Sequence, residues 1–365
     1  FIRETTFFPE LCLIQLAGPD DAFAIDPLAE KLDLAPVYKL MLDKKILKVI
    51  HSGRQDLEIF YQLMGKLPNN VFDTQIAAMV CGFGESASYE ILVSTLTKHK
   101  LDKSQQSSNW KHRPLTQKQI KYALEDVIFL REVYQKLLEK ITKLDRMSWL
   151  KQEEAWLLSE DLYKFNPENA YKKLRPRRTD PLSMYLLKEL AAWRETEARD
   201  RNVPKRRVIQ DDALMEFAAF KPSNVTELKS NRVLRNFQKN ALAEKLVDLT
   251  QGLIEAAPKF ESQKKEPVLH YSNAELEMLK LLLKLIGDQE KVAPKLVATT
   301  DDLKRLAKKD YKDKSEILCL TGWRYEVFGE KALKLLEGKV AFGLEKGKIK
   351  FFDKPVSPTK TPNKL

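Results

Sequence analysis

The sequence predicts an α/β domain over about the first 140 residues, followed by two all-α helical units. Two observations carry this prediction. Short β-rich runs alternate with runs of helical period up to about residue 140, and beyond about residue 145 the strand signal nearly disappears. Strands that alternate with helices are typical of a mixed α/β sheet, and unbroken helical periodicity indicates helical bundles. A chain of 365 residues also exceeds one ordinary domain.

The α/β domain begins with strand signals. Two apolar runs, residues 11–16 and 22–25, flank the turn-forming residues 18–21 and predict a hairpin. A third run, residues 46–50, is followed by apolar residues at helical spacing, and the same order starts again at Val71. These alternations predict the mixed sheet.

A helix that starts after Thr116 carries the first candidate site. Thr116 and Gln119 form a predicted capping box, and apolar residues continue at helical period beyond it. Tyr122 and Asp126 are four residues apart and therefore share one face of this helix. A carboxylate there could hold a metal, and a phenol one turn upstream could orient a water. The alternative is the ordinary polar face of an amphipathic helix.

The helical part of the chain divides at polar, basic and proline-containing stretches. Asp180 and Pro181 predict a helix start as N-cap and first helical residue. A basic, proline-containing end predicts a disordered tail. The predicted units are an α/β domain at 1–145, a helical and basic linker at 146–179, a helical domain at 180–255, a linker at 256–268, a helical domain at 269–341 and the tail at 342–365.

Composition restricts the partner and the compartment. Sixty-three Lys and Arg against 52 Asp and Glu give a net charge of +11, which favours a polyanionic partner, nucleic acid before membrane. The three cysteines, Cys12, Cys81 and Cys319, lack the spacing of a disulfide framework or of a zinc site and indicate a reducing compartment. No apolar run reaches the roughly 18 residues of a membrane span. We expect a cytoplasmic protein without a membrane partner.

Motifs in a fixed order resemble the ribonuclease D family along some 340 residues of the chain. Each motif is loose, but their order and spacing are specific. In the helical part, Trp193-Arg194 with Val203-Pro204 and then Gly322-Trp323-Arg324 resemble two helicase-and-RNase-D C-terminal (HRDC) domains. The motifs of the α/β domain are residues 5–15, 51–57, 72–75 and 101–104, Trp110 with 113–115, and 122–126.

The resemblance implies an RNase H-like 3′–5′ exonuclease domain followed by two HRDC bundles. It implies a metal-dependent exoribonuclease of the four-carboxylate superfamily that uses two Mg²⁺ or Mn²⁺ ions and releases nucleoside 5′-monophosphates. Asp56 and Asp126 match two metal-binding acids of the family motifs, and Tyr122 matches the tyrosine that orients the attacking water. The implied partner is RNA, in particular tRNA precursors, and we expect a monomer.

Further residues are candidates for RNA contacts. Phe7 and Phe8 could stack on the terminal base or belong to the core. Lys103 and Arg113 could touch phosphate or position a loop, and His51 could lie at the site or be a hydrogen-bonded structural residue. Asp73 is predicted to be a helix N-cap. The basic candidates are Arg175, Arg177 and Arg178 in the predicted linker and Lys205, Arg206 and Arg207 in the first helical domain.

The family motif that contains the other two carboxylates, Asp-x-Glu, directly precedes the phenylalanine that matches Phe1. We therefore expect that the first sheet strand and two metal ligands lie upstream of Phe1, and that the chain from Phe1 onward has little or no activity. Two alternatives stay open. The chain could be a non-catalytic RNA- or DNA-binding protein that keeps the fold, or a 3′–5′ exonuclease that acts on DNA.

Overall fold

The structure is a computed structural model that describes residues 1–260 and 273–353. The α/β domain contains two strand pairs. Strands β1 (Ile14–Ala17) and β2 (Ala22–Ile25) form the predicted antiparallel hairpin, and β3 (Lys48–Ile50) pairs in parallel with β4 (Val71–Asp73). Within the described residues, no ladder of backbone hydrogen bonds joins one pair to the other.

Seven helices surround these strands. The buried core lies between β4 and the helices, where Phe72, Ala77, Leu92 and Leu137 pack together. Because Leu150 is buried in the same core, the predicted linker from residue 146 is wrong at its start: the helix at 147–157 belongs to the packed unit. The helices are α1 (Ala35–Leu42), α2 (Arg54–Met64), α3 (Thr74–Val80), α4 (Tyr89–Thr97), α5 (Gln117–Ile128), α6 (Leu130–Lys143) and α7 (Met147–Leu157).

The first helical domain starts where the sequence predicts. The Asp180 carboxylate accepts a hydrogen bond from the Ser183 N–H, and Pro181 occupies the first helical position. Leu190, Phe217 and other fully buried side chains form the core. Two 3₁₀ turns precede this domain, at Glu160–Leu162 and Pro167–Lys173. The helices are α8 (Pro181–Asp200), α9 (Lys205–Val208), α10 (Asp211–Phe220) and α11 (Ala243–Glu255).

The second helical domain repeats the order of the first. In each domain a long helix is followed by a left-handed residue, Asn202 (φ 48°) or Lys291 (φ 50°), then by a four-residue helix and a longer one. The longer helix ends at a left-handed lysine in both domains, Lys221 or Lys309. The helices here are α12 (Asn273–Glu290), α13 (Pro294–Val297), α14 (Thr300–Lys308), α15 (Gly322–Arg324) and α16 (Glu330–Leu336), with a π-helical turn at Tyr325–Gly329.

Residues 340–353 form a β-hairpin, so the prediction that the chain is disordered from residue 342 is wrong for this stretch. Strands β5 (Val340–Glu345) and β6 (Lys348–Asp353) pair antiparallel. Phe342 and Phe351 pack against the second helical domain, and the turn residues Lys346 and Gly347 both have positive φ, as a type I′ turn requires. Residues 354–365 and most of the predicted linker at 256–268 lie outside the described residues.

Both helical domains contact the α/β domain through the same loop. The Asn202 side-chain oxygen accepts hydrogen bonds from the N–H groups of Phe7 and Phe8, at 3.1 and 3.2 Å. On the second domain, the Lys291 carbonyl accepts a hydrogen bond from Arg146 at 3.2 Å. A Cβ on Gly82 (φ 80°) would lie 2.3 Å from the same carbonyl, so this contact requires glycine.

No helix in the described ranges is both long and apolar enough to cross a membrane.

Candidate active site

The α5 helix presents Tyr122 and Asp126 as the sequence predicts. The capping box is present, since the Thr116 hydroxyl accepts from the Gln119 N–H and the Gln119 side chain accepts from the Thr116 N–H. Tyr122 is half-buried, and its ring lies 5.9 Å from that of Trp110. Burial raises the pKa of Tyr122, and the nearby Asp126 raises it further. The phenol therefore stays protonated and can donate a hydrogen bond.

The surroundings of Asp126 make its carboxyl group a weaker acid than an ordinary aspartate. Burial raises its pKa to about 6, with a smaller contribution from the adjacent Glu125. Tyr89 lies beside it, because the Tyr89 hydroxyl donates to the Glu125 carbonyl at 3.0 Å and the Tyr89 ring is 5.7 Å from that of His51. Tyr89 thus connects the end of α5 with the end of β3.

Asp56 lies in the first turn of α2, beyond the end of β3. Part of its surface is open to solvent, but protein surrounds the carboxylate and raises its pKa to about 6. The amino group of Phe1 is close enough to lower this pKa, and Asp73 raises it. Gly53 precedes the helix at a point where a Cβ would lie 1.9 Å from Ile50 Cδ1. A side chain at residue 53 would therefore require the Ile50 side chain to move.

Asp73 caps its helix as predicted and also holds the loop in front of Asp56. Its Oδ1 accepts from the N–H groups of Gln75 and Ile76 in α3, so the predicted N-cap is confirmed. In addition, Ser52 N–H donates to Oδ1 at 3.2 Å and Gly53 N–H donates to Oδ2 at 2.8 Å. One buried carboxylate therefore fixes the starts of both α3 and α2.

His51 takes a structural position next to this loop. Its Nδ1 lies 3.0 Å from the Thr74 hydroxyl, and that hydroxyl donates to the Ile50 carbonyl at 3.0 Å. Burial lowers the pKa of His51. This environment favours the neutral imidazole, so the structure favours the structural interpretation of His51 over a phosphate contact.

Glu154 on α7 in turn holds the backbone of Asp73. Its Oε1 accepts a hydrogen bond from the Asp73 backbone N–H at 3.1 Å. Burial raises the pKa of Glu154 to about 7, and the charge of Asp73 adds to the rise. No local sequence pattern predicts this contact, since the two residues are 81 positions apart.

The raised pKa of Glu154 predicts a pH-dependent stability. The folded pKa of about 7 exceeds the ordinary value of 4.5, so between these values the folded protein binds more protons than the unfolded chain. The free energy of unfolding should therefore fall as pH rises from about 4.5 to about 7, and then level off. Glu154→Gln keeps an acceptor for the Asp73 N–H and should reduce this fall by about 1 kcal/mol after solvent screening.

Urea unfolding at several pH values in a metal-free buffer with EDTA measures the effect. Asp56 and Asp126 also have raised pKa values, so they lower the free energy of unfolding with rising pH in both proteins. The difference between wild type and Glu154→Gln therefore isolates the contribution of Glu154. Parallel pH profiles for the two proteins would contradict the prediction.

The two carboxylates Asp56 and Asp126 suit a hard divalent cation. Neither accepts a hydrogen bond or pairs with a cationic side chain among the described residues, and both have a raised pKa. Bound Mg²⁺ or Mn²⁺ would favour the charged form of both carboxylates, whose oxygen atoms are ligands of the kind that these ions prefer. Across residues 1–260 and 273–353, however, no three His, Cys, Asp or Glu side chains converge on one point. Further ligands are needed for a complete site.

The other predicted contacts of the α/β domain are engaged within the protein. Phe7 packs against the core of the first helical domain, and its ring lies 5.1 Å from that of Phe8. Lys103 is half-exposed and pairs with Glu90. Arg113 forms a two-pronged ion pair with Asp26 at 2.6 and 2.7 Å and also donates to three backbone carbonyls. Its guanidinium therefore positions a loop, which was one of the two interpretations.

The basic candidates lie on the surface. Arg175, Arg177 and Arg178 are exposed beside the first helical domain. Lys205 pairs with Glu195 at 3.2 Å, and Arg206 pairs with Asp211 at 3.4 Å. In that second group the exposed Arg207 has no carboxylate partner among the described residues. RNA contacts by both groups stay predictions.

Comparison with known proteins gives consistent results. The family described as 3′-5′ exonuclease matches residues 2–142, and the HRDC domain family matches residues 183–248. Ribonuclease D of Bartonella henselae is 43% identical over 96% of this chain and 86% of its own length, and ribonuclease D of Jannaschia sp. is 43% identical over 97% and 92%. The crystal structure of Escherichia coli RNase D, described as an exoribonuclease involved in structured RNA processing, has a TM-score of 0.74 at 27% identity and covers 93% of this chain and 91% of that one.

Proposed function

Because this chain belongs to the ribonuclease D family, we propose that it trims RNA from the 3′ end by metal-dependent hydrolysis, with tRNA precursors among its substrates. It combines an exonuclease domain of the RNase H-like fold with an HRDC domain and is an exoribonuclease. One observation supports the chemistry most directly. Asp56 and Asp126 are carboxylates without cationic side-chain partners among the described residues, and a protonated phenol lies one turn from Asp126.

Each residue has a distinct role in this proposal. Asp56 and Asp126 would hold Mg²⁺ or Mn²⁺, which lowers the pKa of a water and stabilises the leaving 3′ oxygen when two ions are bound. Tyr122 donates a hydrogen bond that orients the attacking water. Asp73 does not touch the reacting atoms, but it keeps Asp56 in place through the Ser52 and Gly53 N–H groups. The product is a nucleoside 5′-monophosphate.

We propose further that residues preceding Phe1 supply the carboxylates that complete the site. Two observations support this. The charged amino group of Phe1 acts on Asp56, so a residue attached there would lie beside this carboxylate. The two strand pairs are also not joined in the described part of the chain, and a strand between them would connect them into one sheet.

The experiment compares the chain from Phe1 with a version extended upstream, on matched RNA and DNA oligomers labelled at the 5′ end. The extended protein with Mg²⁺ or Mn²⁺ should shorten RNA from the 3′ end one nucleotide at a time, and the chain from Phe1 should do so far more slowly. Preference for DNA would favour the DNA exonuclease. Binding without metal-dependent shortening by either protein would favour the non-catalytic alternative.

Replacing the Tyr122 hydroxyl should slow the reaction and leave metal binding nearly unchanged. We expect Tyr122→Phe in the extended protein to lower kcat on the order of 10²-fold, because a misoriented nucleophile loses the benefit of positioning. The metal concentration for half-maximal rate should stay within about twofold. Tyr134→Phe is the control, since Tyr134 packs edge-on against Phe72 in the core. Equal rates for both variants would contradict the role of Tyr122.

The basic group at Lys205, Arg206 and Arg207 should contribute to the salt dependence of RNA binding. For single strands the slope of log K against log salt is about −0.7 for each phosphate contact. Replacing all three by alanine should reduce the slope by about 1 to 2, because Lys205 and Arg206 already have acidic partners. A variant that exchanges Lys for Arg and Arg for Lys should keep the slope. An unchanged slope in the alanine variant would remove this group from the RNA-binding surface.

We also propose that residues 269–341 are a second HRDC domain. The repeated order of helices and left-handed residues supports this assignment. The other domain limits stay as predicted, except that the helix at 147–157 belongs to the α/β domain and that residues 340–353 form a hairpin. A monomeric state and a cytoplasmic location stay predictions.

A further inference from the structure

A cleft of about 920 Å³ lies between the α/β domain and the first helical domain. One wall comes from the segment after Phe1 and from the face of α2 that carries Arg54, Glu58 and Tyr61. The other wall comes from the stretch around Phe165 and from the end of α8. The cleft is separate from the carboxylate pair, because Asp56 lies on a different face of α2.

Three cations in this cleft have no carboxylate partner among the described residues. Arg54 lies on the α2 wall, and Lys173 and Arg199 lie on the opposite wall; all three are exposed. Other basic groups of the cleft are already paired, as in the ion pair of Arg3 with Glu58 at 3.0 Å. Positive charge on both walls therefore remains available for an anion, and charges that come from two opposite walls suit an extended polyanion.

Aromatic side chains lie between these charges. The Arg199 guanidinium is 4.6 Å from the centre of the Phe165 ring, and the Tyr61 and Tyr163 rings are 6.0 Å apart. Cations interleaved with aromatic rings are the usual means of binding single-stranded nucleic acid, since each base offers a face for stacking and each phosphate a charge. A duplex would not expose its base faces.

The cleft begins close to the candidate active site. The charged amino group of Phe1 acts on the Asp56 carboxylate, and Arg3, two residues further along the chain, lies on the cleft wall. Two residues span at most about 7 Å. A strand whose 3′ end is at Asp56 could therefore continue into the cleft.

We propose that this cleft binds the single-stranded RNA that lies several nucleotides upstream of the 3′-terminal one. The proposal rests on the proposed function for the polarity of the strand. It divides RNA binding between two places: the carboxylate site holds the terminal nucleotide, and the cleft holds the strand behind it. Short and long RNAs should therefore depend on different residues.

The test measures RNA binding by this chain in EDTA, so that hydrolysis does not enter. Fluorescence anisotropy gives Kd for oligoadenylates of 2, 4, 8 and 12 nucleotides at several salt concentrations. The variant is Lys173→Ala/Arg199→Ala, which removes two charges from one wall. The control is Arg235→Ala/Lys239→Ala, which removes two exposed charges from the same helical domain outside the cleft. Thermal melting confirms that each variant is folded.

For the cleft variant we expect about a 10-fold weaker Kd for the 12-mer and a salt slope lower by about 1.4, equal to two single-strand phosphate contacts. Dinucleotide binding should change less than twofold, and Lys173→Arg/Arg199→Lys should restore the 12-mer. An equal loss for dinucleotide and 12-mer, a loss as large in the control, or no loss would each overturn the proposal. Since no outcome depends on hydrolysis, failure here leaves the proposed chemistry to its own test.

Discussion

Replacing Asp126 by alanine in the protein extended upstream of Phe1 is expected to reduce RNA hydrolysis by roughly 10³-fold or more. Asp126 is a half-buried carboxylate without a cationic side-chain partner in the described part of the chain, and a metal ion held there would stabilise the transition state by several kcal/mol. Asp126→Asn has nearly the same size but lacks the charge and should lose almost as much. Initial rates of nucleotide release at saturating Mg²⁺ or Mn²⁺ measure both.

The neighbouring Glu125 provides a matched control. It is half-buried on the same helix turn and pairs with Lys121 at 3.7 Å across one helical turn. Glu125→Ala removes the same charge one residue away and should change the rate by less than about 10-fold. A near-normal rate for Asp126→Ala, or equal losses for the two alanine variants, would refute metal binding by Asp126.

The second large effect concerns the stability of the folded chain. Glu153 on α7 accepts hydrogen bonds from Trp323 Nε1 at 3.1 Å and from Arg324 Nη2 at 2.5 Å, and Glu153 and Arg324 are both more than 90% buried. Glu153→Ala leaves the guanidinium buried with its remaining acceptor, the Leu296 carbonyl. Removing one partner of a buried ion pair costs about 3–5 kcal/mol, so we expect a loss near 3 kcal/mol in the free energy of unfolding.

Urea unfolding followed by tryptophan fluorescence measures this loss at the junction between α7 and α15 of the second helical domain. Trp149 and Trp323 stack at 4.3 Å across the junction, so their fluorescence reports its separation. Glu139→Ala is the control, because Glu139 forms an exposed pair with Lys136 on α6 and should cost below about 1 kcal/mol. If Glu153→Ala is no more destabilising than Glu139→Ala, the pair does not stabilise the junction.

The features that the sequence predicts well depend on residues near each other in the chain. Tyr122 and Asp126 share a face because the helix repeats every 3.6 residues, and the cap at Thr116 sets where that helix starts. The cap role of Asp73 follows from the same local chemistry. The hairpin of β1 and β2 is likewise formed by neighbouring segments joined by a short turn. In these cases the determinants lie within a few residues of the feature.

Features that depend on distant partners could not be predicted in this way. Glu154 reaches the backbone of Asp73, 81 residues away, and nothing in the helical pattern of α7 distinguishes it from a solvent-exposed glutamate. Arg113 could have been a phosphate ligand until its pairing with Asp26, 87 residues away, was seen. The hairpin at 340–353 was missed because its basic composition outweighed the alternation that turns Phe342 and Phe351 towards the helices.

The ion pair of Glu153 and Arg324 can form only late in the synthesis of the chain, because its two residues are made far apart in time. The two residues are 171 positions apart, and a ribosome adds about 5–20 residues per second, so the carboxylate is made roughly 10–30 s before its partner. For that interval α7 has left the ribosome while the surface that will cover Glu153 does not yet exist. A charged group suits such a surface, because it stays hydrated and does not aggregate before the second helical domain has been made.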